Sequence, residues 1–239
     1  MKNLLPSRTE REINSFILGL KKAYGGDLLS VILYGSAASM EFVPAYSNLN
    51  ILVLLKSASL PELKKATGIV NRFKNLTPLF LTEEYILSSV DIFPIEFLDM
   101  QENYLLLYGK DFLKDIHVDL KNLRFQCEQE LKQRLLSLKQ SYLGLNRCPA
   151  ALKGPLIRSF TSILHILRNV LRLKGRQPPY KKEDLLKELA LYFKIELSRW
   201  EKILAAKLKK IKINKVETEG LFVVFVNDLE EIIRAVDAL

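Results

Sequence analysis

The pattern of hydrophobic and polar residues changes about halfway along the chain. In the first half, short apolar runs alternate with segments whose apolar residues recur at helical spacing. Strands and helices that alternate in this way predict a mixed α/β domain around a small sheet. In the second half helical spacing dominates, which predicts an all-α helical bundle. We place the boundary near Asp115, so that the predicted domains cover 1–115 and 116–239.

Individual elements follow from apolar runs, caps and breaker residues. In the first half, we expect helices over 9–24, 59–73 and 82–90. Strands are expected over 28–34, 49–55, 78–81 and 93–100, followed by a short strand that ends at Gly109. In the second half, the predicted helices cover 117–145, 150–174, 181–195, 199–212 and 218–238. The last of these is very apolar at its start and could pack in the bundle or against another subunit, so a homodimer is one possibility.

Charge divides the chain in the same place. The net charge is +9, but 1–119 hold 12 basic residues against 14 acidic ones, whereas 120–239 hold 24 against 13. The segment 131–182 has twelve basic residues and no acidic one. This asymmetry predicts that the second half faces an anionic group, namely a nucleotide, a nucleic acid or the acidic first domain. A solvated basic surface is the simpler alternative, and the absence of interleaved aromatic residues disfavours nucleic acid without excluding it.

Other compositional features point to an ordinary intracellular protein. Cys127 and Cys148 are far apart and lack the spacing of a metal or redox site, which favours reduced thiols. The N-terminal residues do not have the pattern of a signal peptide, and no apolar run is long enough to cross a bilayer. We therefore expect a cytoplasmic protein without membrane contact.

The stretch LYGSAASMEFVPAYSNLNILVLL, residues 33–55, carries the candidate chemistry. A strand that ends at Gly35-Ser36 offers backbone N–H groups and a hydroxyl at a turn, which suits a phosphate. Asn48 and Asn50 stand at alternate positions of the next strand and are expected to project to the same face. A later apolar segment, PIEFL, is expected to present Glu96 from a strand.

This ordered set resembles the nucleotidyltransferase superfamily with the polymerase-beta-type fold. The family pattern is a hydrophobic residue with Gly-Ser, a gap, Asp-hydrophobic-Asp, and then a third Asp or Glu between hydrophobics. Gly35, Ser36, Asn48, Asn50 and Glu96 occupy those positions here, and Ser47 matches the Ser that usually precedes the first carboxylate. The plan of a small α/β domain followed by a helical bundle resembles the aminoglycoside nucleotidyltransferase branch.

The resemblance implies transfer of a nucleoside monophosphate from a nucleoside triphosphate to a hydroxyl group, with Mg²⁺ held by three carboxylates. Asn48 and Asn50 depart from that pattern because neutral amides replace two charged ligands. We therefore assign no metal site and no catalytic residue, and Mg²⁺ is needed only if some activity remains. The hypothesis is a degenerate enzyme, a pseudoenzyme that retains a nucleotide-binding cleft. An active enzyme with an atypical metal site near Glu96, or a non-catalytic scaffold that binds a partner, are the alternatives.

A polar stripe marks one predicted helix of the second half. Arg158, Ser162, His165, Asn169 and Arg172 recur at steps of four, three, four and three, which predicts one continuous polar face. Such a face could line a cleft between the domains, where Arg158 and Arg172 would bind a triphosphate. It could equally be solvated. The Arg158–His165 spacing also resembles the Arg-x(4–6)-His motif of HEPN-domain ribonucleases, although such a pair occurs easily by chance.

Overall fold

The computed structural model describes residues 6–38, 49–145 and 147–239. The chain forms two compact units, Met1–Val118 and Asp119–Leu239. The first unit is mixed α/β, and the second is built from helices.

The first unit is organised by a sheet of four strands. These are β1 (Leu28–Tyr34), β2 (Leu49–Leu55), β3 (Leu76–Leu81) and β4 (Tyr104–Gly109). Their order across the sheet is β3-β2-β1-β4. Strand β1 runs antiparallel to both of its neighbours, whereas β2 and β3 are parallel. The predicted strands β1 and β2 are confirmed, since apolar runs of this length between breaker residues are typical of buried strands.

Helices cover both faces of this sheet. They are α1 (Ser7–Tyr24), α2 (Leu60–Val70), α3 (Glu83–Ser89) and α4 (Pro94–Glu102). Phe16 of α1 and Ala66 of α2 share one apolar core with alternate residues of β2, including Ile51. Ile86 of α3 and Phe97 of α4 belong to the core on the opposite face. Because successive strand residues point to opposite faces, both faces of β2 are almost wholly apolar.

The predicted strand over 93–100 is wrong, because this segment forms helix α4. Pro94 occupies the first turn, where its missing N–H costs no intrahelical hydrogen bond and its fixed φ suits a helix. The buried side chains are Pro94, Ile95, Phe97 and Met100, a spacing that gives one helical face rather than the alternation of a strand. Glu96 therefore lies in the first turn of a helix and not on a strand.

The second unit is a helical bundle. Its helices are α5 (Leu120–Leu145), α6 (Lys153–Leu173), α7 (Lys182–Tyr192), α8 (Leu197–Lys207) and α9 (Lys215–Asp237). Helix α6 packs against each of the other four and is the centre of the bundle. Fully buried Trp200 packs against the rings of Phe160 and Phe225, with centroid distances of 5.8 and 4.8 Å. None of the described helices is long and apolar enough to cross a membrane.

Candidate functional site

The Gly-Ser turn lies directly after β1. Gly35 has a φ of +75°, a left-handed conformation that glycine adopts without a Cβ penalty. Its N–H donates to the carbonyl of Asn103 at 2.9 Å, and its own carbonyl accepts from the N–H of Ala38 at 2.9 Å. The turn Gly35–Ala37 is thus held by backbone hydrogen bonds from both sides.

Asn50 lies against this turn. A Cβ built on Gly35 would lie 3.4 Å from the Nδ2 of Asn50, so the amide of Asn50 packs over the glycine. Asn50 is half-buried and alternates along β2 with the same phase as Leu52 and Leu54. It therefore occupies the sheet face that α3 and α4 cover, at the end of the strand where the apolar core stops.

The strand register places three further side chains in a row with Asn50. Asn50 pairs with Tyr34 of β1 and with Thr77 of β3, and Tyr34 pairs with Tyr104 of β4. Residues directly opposite each other on adjacent strands share a face. The row runs from Thr77 through Asn50 and Tyr34 to Tyr104, and it crosses the whole sheet next to the turn. The sequence did not predict that Tyr34 and Tyr104 belong to the site, because a local sequence pattern does not determine which strands pair.

Both tyrosines of this row keep their phenol protons at neutral pH. Burial raises the pKa of Tyr34 above its usual value of about 10. The pKa of Tyr104 is also raised, first by burial and then by the carboxylate of Asp111, which accepts a 3.0 Å hydrogen bond from the Tyr104 hydroxyl. The row therefore presents neutral hydroxyl and amide groups rather than charges.

Asn103 contributes a buried donor beside the same turn. Its carbonyl accepts the N–H of Gly35, while its side-chain Nδ2 is buried and has no hydrogen-bond partner among the described residues. Buried polar groups in folded proteins are normally paired, so an orphaned amide next to a candidate ligand site calls for an explanation. Sequence inspection also missed Asn103, which follows the end of α4 and gave no motif signal.

The carboxylates near this turn lie outside the strands, since α4 carries Glu96, Asp99 and Glu102 and Asp111 accepts from Tyr104. The four strands that the structure describes contain no Asp or Glu. Helix α4 lies beside the turn, but Glu96 is an exposed residue of its first turn. Within 6–38, 49–145 and 147–239, no three His, Cys, Asp or Glu side chains form a group that could hold a metal ion. The residues that the structure describes therefore do not fit the three-carboxylate Mg²⁺ site that the resemblance implies.

Two of the predicted nucleotide-binding residues, Ser47 and Asn48, lie outside the described residues. Gly35 and Asn50 are brought together, and Ser36 lies in the same turn. The structure thus brings Gly35 next to Asn50, the second polar position of the motif. The first polar position, Asn48, stays a prediction.

The polar stripe of α6 differs in exposure along its length. Arg158 and His165 are exposed, but Asn169 is fully buried. The Nδ2 of Asn169 donates to the carbonyl of His165 at 3.2 Å, and its Oδ1 accepts from the guanidinium of Arg172. The stripe turns into the core because α6 is the centre of the bundle. Binding of a nucleotide by Arg158 and Arg172 stays a prediction.

Comparison with known proteins identifies a solved structure with a similar fold. No protein-family model matches the chain, and no curated protein matches it either. Among solved structures, the chain resembles spectinomycin adenyltransferase AAD(9) from Enterococcus faecialis, whose structure contains ATP and spectinomycin. The match has a TM-score of 0.61 at 14% sequence identity and covers 92% of this chain and 99% of that one. At this identity the likeness establishes the fold alone, and the protein has a nucleotidyltransferase-like fold.

Proposed function

We propose that the protein binds a nucleoside triphosphate at the Gly35 turn and has lost efficient transfer of the nucleoside monophosphate. The observation that carries this proposal is the contact between Gly35 and the neutral amide of Asn50 on a nucleotidyltransferase-like fold. The neighbour's structure contains ATP, which supports a nucleotide as the ligand class.

The polar groups around the turn suit phosphate and ribose oxygens. Amide N–H groups donate to phosphate oxygens, and the amide oxygen of an Asn accepts from a ribose hydroxyl. The orphaned Nδ2 of Asn103 supplies one more donor next to the turn. Replacing a carboxylate with the amide of Asn50 also removes electrostatic repulsion toward a triphosphate. Binding therefore does not require the metal that a carboxylate site would need.

Transfer, in contrast, depends on the two carboxylates that Asn48 and Asn50 replace. A divalent metal polarises the phosphoryl group and activates the attacking oxygen, and losing it removes several kcal/mol of transition-state stabilisation. Each loss of about 1.4 kcal/mol slows the chemical step about tenfold. Since Mg²⁺ prefers charged oxygen ligands, the amide of Asn50 is a poor substitute for a carboxylate. The protein is in this sense a degenerate nucleotidyltransferase.

A second candidate is an active nucleotidyltransferase with an atypical metal site at Glu96. One observation favours it, since Glu96 is exposed in the first turn of α4 and α4 lies beside the Gly35–Ala37 turn. In this candidate Glu96→Gln abolishes turnover.

The decisive experiment compares the wild type with the double variant Asn48→Asp, Asn50→Asp. Titration calorimetry with ATP and with GTP, in Mg²⁺ or in excess chelator, measures binding, and pyrophosphate release measures transfer. We expect the wild type to bind in chelator without turnover and the double variant to bind only with Mg²⁺. Turnover gained by the double variant would show that the two lost charges account for the inactivity.

The matched control is Asn14→Asp, Asn71→Asp, which adds the same charge at two exposed positions of the same unit. It should bind as the wild type does. Metal-dependent pyrophosphate release by the wild type, lost in Glu96→Gln, would overturn the proposal in favour of the second candidate. Absence of any nucleotide binding by a folded wild type would overturn both.

A further inference from the structure

An apolar groove lies between α5 and α9 of the helical unit, and none of its lining residues takes part in the proposed function. It encloses about 450 Å³. Tyr142 and Leu143 of α5 line one side, and Phe222, Val223 and Val226 of α9 line the other. The rings of Tyr142 and Phe222, which both line the groove, stack at a centroid distance of 5.9 Å. The two helices are therefore in aromatic contact at the groove.

Exposed apolar side chains continue beyond the groove along both helices. On α5, Leu136 and Leu143 are 62% and 76% exposed and lie seven residues apart, so they share a face. On α9, Val216 and Val223 are 81% and 41% exposed and have the same spacing. Single exposed apolar residues are ordinary on a protein surface, but two parallel rows beside a groove form a patch of the kind that marks an interaction site.

The two helices beside the groove carry opposite charges at its edges. Lys139 lines the groove on α5 and Lys132 lies seven residues before it, whereas α9 carries Glu230 and Asp237. Other acidic residues of α9 are engaged elsewhere, since Asp228 accepts from Trp200 and Glu217 accepts from Lys202. Within one chain, Lys139 pairs with Glu230 at 2.6 Å and Lys132 approaches Asp237 at 3.7 Å. The patch thus has an apolar centre, a basic side and an acidic side.

We propose that this patch is the interface of a homodimer whose two-fold axis runs along the groove. Rotation about that axis places the basic rim of each copy on the acidic rim of the other, and it places the exposed leucines of α5 in one copy over the exposed valines of α9 in the other. A dimer uses the same patch twice, so a patch with two oppositely charged sides is complementary to itself. A partner of uniform charge would match only one rim.

The direction of the axis follows from the same charges. An axis perpendicular to the helices would set α5 on α5 and α9 on α9, and like charges would face each other. With the axis along the groove, Lys139 of one copy lies level with Glu230 of the second copy. The pairing between copies can therefore be tested by mixing two variants with reversed charges, because contacts within one chain do not change on mixing.

The first experiment measures the dimer dissociation constant by sedimentation equilibrium. Leu143→Asp should weaken the dimer at least about tenfold, because it brings a charge into the apolar centre of the interface. The matched control is Leu191→Asp on α7, where the leucine is 75% exposed. It should dimerise as the wild type does. Both side chains are exposed, so neither change is expected to unfold the bundle, and circular dichroism verifies this.

The second experiment mixes Lys139→Glu with Glu230→Lys. Each variant alone puts like charges across the interface and should dimerise less than the wild type. In the mixture, the carboxylate introduced in one chain meets the ammonium group introduced in the other. The unchanged Lys139 and Glu230 of the two chains meet as well, so the heterodimer should recover. The pair within each chain stays broken, which means that recovery reports the contact between copies. A wild type that remains monomeric, or a dimer that Leu143→Asp leaves unchanged, would overturn the proposal.

Discussion

Two regions of the molecule differ in how their polar groups are paired, namely the surroundings of Trp200 in the helical unit and the polar end of the sheet in the first unit. In the helical unit, the indole Nε1 of fully buried Trp200 donates to the carboxylate of Asp228 at 2.8 Å, and the same oxygen accepts the backbone N–H of Glu196. At the polar end of the sheet, the buried Nδ2 of Asn103 has no partner among the described residues, and half-buried Asn50 stands on an otherwise apolar face. The polar atoms around Trp200 are thus hydrogen-bonded within the protein, whereas those at the polar end of the sheet are only partly hydrogen-bonded.

This difference separates structural from ligand-binding polarity. A buried donor with a carboxylate partner contributes to stability, and removing the partner leaves the full cost of desolvation. A polar group that waits for a ligand costs stability in the free protein, because an apolar residue would fill the same space more favourably. Substitutions in the two regions should therefore change stability in opposite directions.

The largest effect is expected from Asp228→Ala. This change leaves the Nε1 of Trp200 buried without an acceptor and should lower the free energy of unfolding by about 1–3 kcal/mol. The loss should appear in the denaturant unfolding of the helical unit, followed through the fluorescence of Trp200, which is the chain's single tryptophan.

The matched variant Asp228→Asn keeps an oxygen that can accept both hydrogen bonds. It should lie close to the wild type in stability, since the indole donor stays satisfied. Equal destabilisation by the alanine and the asparagine variants would show that the charge of Asp228, rather than its hydrogen bonds, holds this part of the bundle.

A smaller effect of opposite sign is expected from Asn50→Leu. Leucine has nearly the shape of asparagine and continues the apolar face of Leu52 and Leu54, so the free energy of unfolding should rise by about 0.5–1 kcal/mol. Under the proposed function, nucleotide affinity should fall at least about tenfold, because a hydrogen-bonding group worth about 1.4 kcal/mol or more is lost. Chemical unfolding and calorimetry measure the two changes on the same sample.

The control for Asn50→Leu is Asn71→Leu, which makes the same change at the exposed end of α2. It should leave nucleotide affinity unchanged. A loss of stability in Asn50→Leu would mean that Asn50 makes a structural contribution, and the comparison between the two regions would fail at its central residue.

Much of the fold could be predicted from the sequence because its helices and strands have local sequence signals. Strand β1 and strand β2 have the bounds that their apolar runs predict, and α9 begins three residues before its predicted start because Asn214 and Glu217 form a capping box. Helix α8 ends five residues early, because Lys209 adopts a φ of +58° and the N–H of Lys210 turns back to the carbonyl of Ala205. A left-handed lysine gives no signal comparable to that of a glycine.

The candidate site was predicted only in part, since it is assembled by pairing between strands. Gly35 and Asn50 could be found as a motif, but the row with Tyr34 and Tyr104 depends on a register that no local pattern encodes. Glu96 was assigned to the wrong element because PIEFL is apolar on both sides of the glutamate, and a short apolar run suits either a strand or a buried helical face.

The smallest expected effect is a change in the pH dependence of stability, and it concerns Glu217 in the helical unit, whose carboxylate is hydrogen-bonded within the protein. The pKa of Glu217 is lowered, first by its hydrogen bond with Lys202 and then by the backbone N–H of Asn214 at the start of α9. Since its pKa is lower in the folded than in the unfolded protein, its contribution to stability is complete above the usual glutamate pKa of about 4.3. That contribution is lost as the pH falls through the lowered value.

Glu217→Gln should therefore flatten the acid dependence of the free energy of unfolding while leaving the slope near neutral pH unchanged. Lys202→Met removes the first cause of the shift and should act in the same direction. The effect should be small because the pair is partly exposed and water screens it. Denaturant unfolding at a series of acidic pH values measures the difference between wild type and variant. Identical pH dependence of the two would mean that the capping box, and not the charge of Glu217, stabilises the start of α9.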